Sequence, residues 1–280
     1  GMRFVLFIHD LIPLTHRHWF RPAYVAMWQS QFDELSRLAG EIVVNSKSTR
    51  ASVESYLSHR AMPSRKVSVV RFGDPVMNLA LSDTAKQRFD DKRLGKYVLM
   101  VSAIDARKNQ KSLILVWERL MAEFGERTPR LILVGKDGTA SDTIHGLLND
   151  RPELQEKVLI EQQADDERLV EYYRHCMFTV FPSFMEGWGF PVAESLMVNK
   201  ACIASRLPSI VEVGNDLCRY VDPHDLDDIH SAVRDFLVGP TRASYERRIS
   251  KQFKRHGWGD TAEEILAILK QGSPNALSSN

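Results

Sequence analysis

MFTVFPSFMEGWGFPVAE, residues 177–194, carries three successive signals that decide the fold. Met177–Pro182 is a short apolar run rich in β-branched and aromatic residues and closed by a proline, so it reads as a strand buried on both faces and stopped at its carboxyl end. Gly187 and Gly189 lie in the loop after it, where glycine opens backbone conformations and close approaches that a Cβ forbids. Pro191 then suits the first turn of a helix. The amides and positive dipole end of that helix face the carboxyl edge of the sheet, a place where phosphate groups are held. Strand, glycine loop and helix N-terminus in this order predict a parallel α/β sheet with an anion site that needs no lysine in the same stretch.

The same grammar extends in both directions. Downstream of residue 96 six strands are expected, at Tyr97–Ala103, Leu131–Gly135, Val158–Glu161, Met177–Pro182, Ala201–Ser205 and Arg219–Asp222. Between the first two, Leu113, Ile114, Val116, Trp117, Leu120, Met121 and Phe124 recur at helical spacing. Upstream, Phe4–Asp10, Glu41–Ser46 and Val67–Gly73 read as strands, with helices near Trp19–Leu38 and Ser48–Leu57. A sheet of three doubly buried strands leaves apolar surface bare, so the expectation is a chain that opens inside a Rossmann-like domain, with roughly a hundred residues of a usual domain lying before it. The domain reading is therefore a partial N-terminal Rossmann-like domain over residues 1–80, a polar linker over 81–96, a complete domain over 97–258, and a helix with a disordered tail over 259–280. Helical patterns near Arg242–Arg255 and Thr261–Lys270 close the chain.

Composition narrows the function. Thirty-seven basic residues against 36 acidic ones leave a net charge of +1, so no global field recruits nucleic acid and any anionic ligand must be caught locally. Cys176, Cys202 and Cys218 are three cysteines without ligand spacing, which argues against a disulfide framework and fits a reducing compartment. No apolar run approaches ~20 residues, and the N-terminus lacks the features of a signal peptide, so a cytoplasmic location is expected. No His or Cys pair shows ligand spacing and no Asp-x-Asp ends a strand, so no metal is expected.

Within the opening stretch Glu186 lies in the loop and Glu194 about one turn into the helix. Carboxylates accept paired hydrogen bonds from vicinal hydroxyls, which a ribose and a hexose both provide. Two solvated glutamates around a glycine-rich turn are the plainer alternative. Lys108 sits in a strand-to-helix turn, where a lysine is either a phosphate ligand or a solvated charge. His9 and Asp10 end the first strand, as Ser46 and Lys47 follow the second, so all four fall at a carboxyl edge. His16-Arg-His-Trp-Phe-Arg21 interleaves basic and aromatic residues, which suits contact with an anionic lipid-linked acceptor or a membrane surface, and equally a solvated helix start.

EGWGFPVAE resembles the signature of the retaining glycosyltransferases of family 4, which have the two-domain GT-B architecture and two glutamates separated by seven residues. The likeness runs on through ACIASRLPSIVEVGNDLCRYVDPHD (201–225), LILVGKDG (131–138), VVNSKSTRASV (43–53), HDLIPL (9–14) and the Gly-Trp at 258. The resemblance implies that Glu186 holds hydroxyls of the transferred sugar, that Glu194 holds the ribose of the nucleotide, that Lys108 neutralises the donor diphosphate, and that His9 approaches the donor sugar. It adds Gly187, Gly189, Phe190 and Gly135 to the donor contacts. The family commonly places an arginine five residues before the lysine; Ala103 stands there, so either Arg107 supplies the second charge or the diphosphate is held less tightly. The implied donor is a nucleoside-diphosphate sugar, GDP-mannose favoured, with no other cofactor, and the implied acceptor is a saccharide or a lipid-linked one. A module that binds nucleotide sugar without transfer is the alternative.

Overall fold

Apolar runs and amphipathic stretches pair as two all-parallel sheets in the computed structural model, which describes residues 4–74 and 94–270. The first unit comprises 4–74, 186–188 and 255–270; the second comprises 94–185 and 189–254. The linker expected over 81–96 falls mostly outside the described residues, as does the tail beyond Lys270.

In the first unit β1 (Val5–Ile8), β2 (Glu41–Val44) and β3 (Lys66–Val69) pair in that order, with Val5 opposite Glu41 and Glu41 opposite Lys66. A short helix α1 (Ile12–Thr15) and the longer α2 (Pro22–Leu38) connect the first two strands, and α3 (Lys47–His59) connects the next. Val25 and Phe32 of α2 and Val53 and Leu57 of α3 pack with Ile42 and Val44, as the helical spacing of these residues requires. β2 is buried throughout, so Glu41 lies in it without exposure; Ser68 donates to its Oε1 at 2.5 Å and Lys66 Nζ approaches the same oxygen at 3.1 Å. A charge so placed is tolerable only with partners of this kind.

The second unit contains β4 (Tyr97–Val101), β5 (Arg130–Val134), β6 (Val158–Glu161), β7 (Thr179–Phe181), β8 (Cys202–Ser205) and β9 (Arg219–Val221), laid down in the order β6-β5-β4-β7-β8-β9. These are the six strands expected, several of them shorter because pairing ends where the loops peel away. Helices α4 (Gln110–Phe124), α5 (Ser141–Asn149), α6 (Pro152–Gln155), α7 (Asp166–His175), α8 (Phe190–Met197), α9 (Pro208–Gly214), α10 (Leu226–Val238) and α11 (Thr241–Gln252) supply the remaining elements. Alternate residues of β4 enter two separate cores: Val98 and Met100 join Leu113, Trp117 and Phe236, whereas Tyr97 and Leu99 join Val170, Tyr173 and Cys176. A sheet covered on both faces explains the continuous apolar runs. All three cysteines are free and buried here. Strand order reverses between β4 and β7, and crevices at such switch points are where α/β sheets bind ligands.

Residues 255–270, with α12 (Trp258–Lys270), pack with the first unit. His256 N donates to Asp74 Oδ2 and Asp74 N to His256 O, each at 2.8 Å, and Thr261 Oγ1 donates to Arg71 O at 2.9 Å. Trp258 lies so close to Gly73 that a Cβ there would come within 2.6 Å of its Cγ, which explains glycine four residues beyond β3.

Trp117 is unexposed and its Nε1 donates to Pro129 O at 2.9 Å. Trp117→Ala is expected to cost the second unit about 3–5 kcal/mol, read as a fall in its urea midpoint by far-ultraviolet circular dichroism.

Candidate active site

The turn after β4 is built to hold two cations in place. Asp105 Oδ1 accepts from Arg107 N at 3.1 Å, and Asn109 ends the turn in the left-handed region, with φ of +66°. From there the buried Asn109 Nδ2 donates to Pro182 O at 3.0 Å and to Pro223 O at 2.9 Å. Phe184 N donates to Arg107 O at 2.8 Å, and Arg107 Nη1 donates to Met185 O at 3.2 Å. The turn is thereby tied to the loop that leaves β7. Lys108 Nζ lies 5.3 Å from the centre of the Phe181 ring, at the end of β7, so the ammonium is parked against the switch point. Arg107 is braced by Met185 O and by Asp105 at 3.9 Å, which leaves its positive charge in the turn. At Ala103 the side chain is small and exposed, and its carbonyl accepts from Gln110 Nε2 at 2.7 Å.

Gly135 follows β5 with φ of +155°, and a Cβ on it would fall 2.0 Å from Ser102 O. Only glycine lets the loops after β4 and β5 run this close; Ile104 N donates to Lys136 O at 2.9 Å across them.

α8 begins after Gly189, with Pro191 in its first turn and the Val192 and Ala193 amides donating to Gly189 O at 3.0 and 3.2 Å. The close approach expected at both loop glycines holds at one only. At Gly189 the nearest neighbour of an added Cβ is Ile210 Cγ1 at 3.6 Å, an ordinary contact, and its φ of 174° is extended backbone. Phe190 is the first helical residue. Glu194 projects from the next turn, partly buried, and Tyr173 of α7 donates to its Oε2 at 2.5 Å. Burial raises the Glu194 carboxyl above the ordinary carboxylate range, and the Tyr173 hydrogen bond works in the opposite direction.

Glu186–Trp188 packs with the first unit. An added Cβ on Gly187 would lie 2.6 Å from Asp10 Cβ and 2.8 Å from His9 O, so here glycine is obligatory. Gly187 O accepts from Ser46 Oγ at 3.0 Å and from Thr49 Oγ1 at 3.4 Å, and Ser46 also caps α3 through Thr49 N at 3.0 Å. The exposed His9 ring lies 5.3 Å from Phe7 and 5.1 Å from Phe72, and Asp10 Oδ1 accepts from Ile12 N at 2.9 Å. Glu186 is partly buried in the same loop, and Lys47 starts α3.

In the second unit, then, Arg107 and Lys108 converge on the loop after β7; in the first, His9 and Ser46 converge on Gly187. Sequence reasoning gave no role to Asn109, Thr49 or Tyr173. Each is an ordinary polar residue whose partner lies far away in the chain: 73 and 114 residues for Asn109, 138 for Thr49 and 21 for Tyr173. Chemically, the second unit offers a fixed positive potential for a multiply charged anion and a carboxylate held ready to accept hydroxyl protons.

Residues 83–256 match the family model described as glycosyl transferases group 1. Among curated proteins the chain is 24% identical over 278 residues to the serotype-specific mannosyltransferase WbdA of Escherichia coli, covering 96% of this chain and 34% of that protein. It is 27% identical over 175 residues to the O-antigen chain mannosyltransferase B of Escherichia coli, covering 62% and 45%. The chain thus spans about a third to a half of the length of these relatives. Among solved structures, a sucrose-phosphate synthase from Thermosynechococcus elongatus superposes with a TM-score of 0.73 at 20% identity, covering 97% of this chain and 68% of that one. An α,α-trehalose-phosphate synthase from Burkholderia xenovorans gives 0.75 at 14% identity, covering 96% and 68%. These likenesses establish the GT-B type of α/β fold.

Asn109→Ala removes the donor from two buried carbonyls and puts a Cβ residue without a polar group in the left-handed region. A loss of about 2–4 kcal/mol is expected, measured by urea unfolding of the second unit.

Proposed function

We propose that this chain, which belongs to the group 1 glycosyl transferases, carries the donor side of a hexosyl transfer with retention at the anomeric carbon. The sugar is a hexose, mannose favoured, the donor a nucleoside-diphosphate sugar, GDP-mannose favoured, and the acceptor a saccharide or lipid-linked one, as in surface polysaccharide assembly. The observation that carries this reading is the lashed Arg107–Lys108 turn at the switch point of the second sheet. Departure of the sugar builds negative charge on the diphosphate, and cations fixed beforehand stabilise that charge without reorganising. Lys108, Arg107 and the N-terminus of α8 are assigned to this task, and with three such sources no metal is required. Glu194 takes the ribose and Glu186 the hydroxyls of the transferred sugar, with His9 approaching the same sugar. Gly187, Gly189, Phe190 and Gly135 shape the donor site. The mannosyltransferase names of the two Escherichia coli relatives support mannose.

Donor binding without transfer is the second reading, and Ala103 at the position where the family commonly has arginine favours it. Calorimetric titration of the 280-residue chain with GDP-mannose, UDP-glucose and dTDP-rhamnose tests the donor binding that both readings require. One of the three is expected to bind. Lys108→Ala is expected to weaken binding of that donor at least tenfold, an effect of about 1.5–3 kcal/mol for a hydrogen bond to a charged group. Equal binding by wild type and by the Lys108, Glu186 and Glu194 alanine variants would end the donor-site assignment.

A peripheral contact with the cytoplasmic face of an anionic membrane belongs to the same proposal. From Leu11 to Phe32 the chain has no acidic residue, and Arg17, His18, Arg21, Tyr24 and Met27 are exposed there. With about 1 kcal/mol for each arginine near a charged surface, the Arg17→Ala, Arg21→Ala double variant is expected to bind phosphatidylglycerol vesicles about 30-fold more weakly. Co-sedimentation measures it, and phosphatidylcholine vesicles serve as the control.

A further inference from the structure

Tyr173 is buried to 1% exposure in the core formed by Tyr97, Leu99, Val170 and Cys176, yet its hydroxyl reaches the Glu194 carboxyl at 2.5 Å. Three other contacts brace this pair. Ser195 Oγ, next to Glu194, meets Thr179 Oγ1 of β7 at 2.8 Å and Lys200 O at 3.1 Å, which fixes α8 against the strand. Lys200 Nζ donates to Cys176 O at 2.8 Å and so joins the residue after α7 to the chain after α8. The helix is held by Ser195; the direction of the Glu194 carboxyl is left to Tyr173. A buried phenol gains nothing from solvent, so its hydroxyl has strong reason to keep this partner and to keep it in one rotamer.

We propose that Tyr173 is a positioning residue: its hydroxyl anchors Oε2 of Glu194 so that Oε1 is presented to the vicinal hydroxyls of the nucleotide ribose. The inference rests on the assignment of Glu194 to the ribose made above. The titratable and charged groups that bear on the pair are Asp166 at the start of α7, Tyr173 itself, and Cys176 and Cys202 beside Tyr173. The hydroxyl donates to the charged carboxylate and therefore favours it against burial. An ionised carboxylate accepts from a diol more strongly than the neutral acid does, so nucleotide binding weakens as pH drops through the raised Glu194 pKa. Without the phenol hydroxyl that fall begins at higher pH.

The test compares wild type, Tyr173→Phe, Glu194→Gln and the double variant of the full chain, titrated calorimetrically with GDP, UDP and their 2′-deoxy forms from pH 5 to pH 8. Tyr173→Phe is expected to weaken the ribonucleotide about tenfold, to narrow the preference for ribose over deoxyribose, and to move the acid limb of binding upward by about one pH unit. Glu194→Gln is expected to remove the part of that limb that belongs to Glu194, leaving the fall from protonation of the terminal phosphate at about pH 6, and the double variant to match it. A Tyr173→Phe protein that keeps both the wild-type limb and the ribose preference overturns the proposal, while the Glu194 assignment stands if Glu194→Gln still weakens binding. Wild-type affinity and ribose preference in Glu194→Gln would instead bring down the assignment and this inference with it. A merely structural phenol would lower thermal stability and leave limb and preference unmoved.

Discussion

One asparagine side chain carries the geometry at the carboxyl edge of the second sheet. Asn109 adopts a left-handed conformation that few residues other than glycine accept, and its amide reaches the carbonyls that end two other strand-loop junctions. Those two bonds join the exits of β4, β7 and β9, three strands that are not all neighbours in the sheet. The residues just before it, Arg107 and Lys108, inherit their placement from this knot. A flexible turn with the same charges would spread them over several ångströms and would spend free energy gathering them around a ligand.

Much of this architecture is written plainly in the chain. Parallel strands buried on both faces produce apolar runs that are easy to count, and α4 repeats its buried residues at helical spacing, so six strands and their order of appearance could be read directly. The glycine-flanked loop and Pro191 located the start of α8 for local reasons. Gly187 was readable as a close approach, although Gly189, with the same neighbours in sequence, turned out to have room for a side chain. That difference is tertiary: Gly187 sits against the Asp10 side chain and the His9 carbonyl, and Gly189 over Ile210 and Val213. The roles of Asn109 and Tyr173 were illegible because hydrogen-bond partners far along the chain leave no periodic trace. Tyr173 stands beside Tyr172, whose hydroxyl goes to Glu161 instead, and nothing local distinguishes the two.

The chain also revisits its first unit twice, through residues 186–188 and again from residue 255 onward. Both returns are seated on glycine. Gly187 admits the His9 carbonyl and the Asp10 side chain, and Gly73 admits Trp258. Ser46 shows the economy of such seats, since one hydroxyl both caps α3 and donates to Gly187 O.

Glu41 gives the small three-stranded sheet a property its size would otherwise deny it. Short apolar strands such as β1, β2 and β3 offer many near-equivalent alignments, because one valine or isoleucine replaces another at little cost. The carboxyl of Glu41 finds Lys66 and Ser68 only when β3 lies in its native alignment, with Lys66 directly opposite. A shift of one residue toward the C-terminus of β3 sets Val67 there and takes Glu41 out of register with Lys66 and Ser68. The acid therefore acts as an indexing pin, giving up some stability in order to make the wrong alignments far worse than the right one.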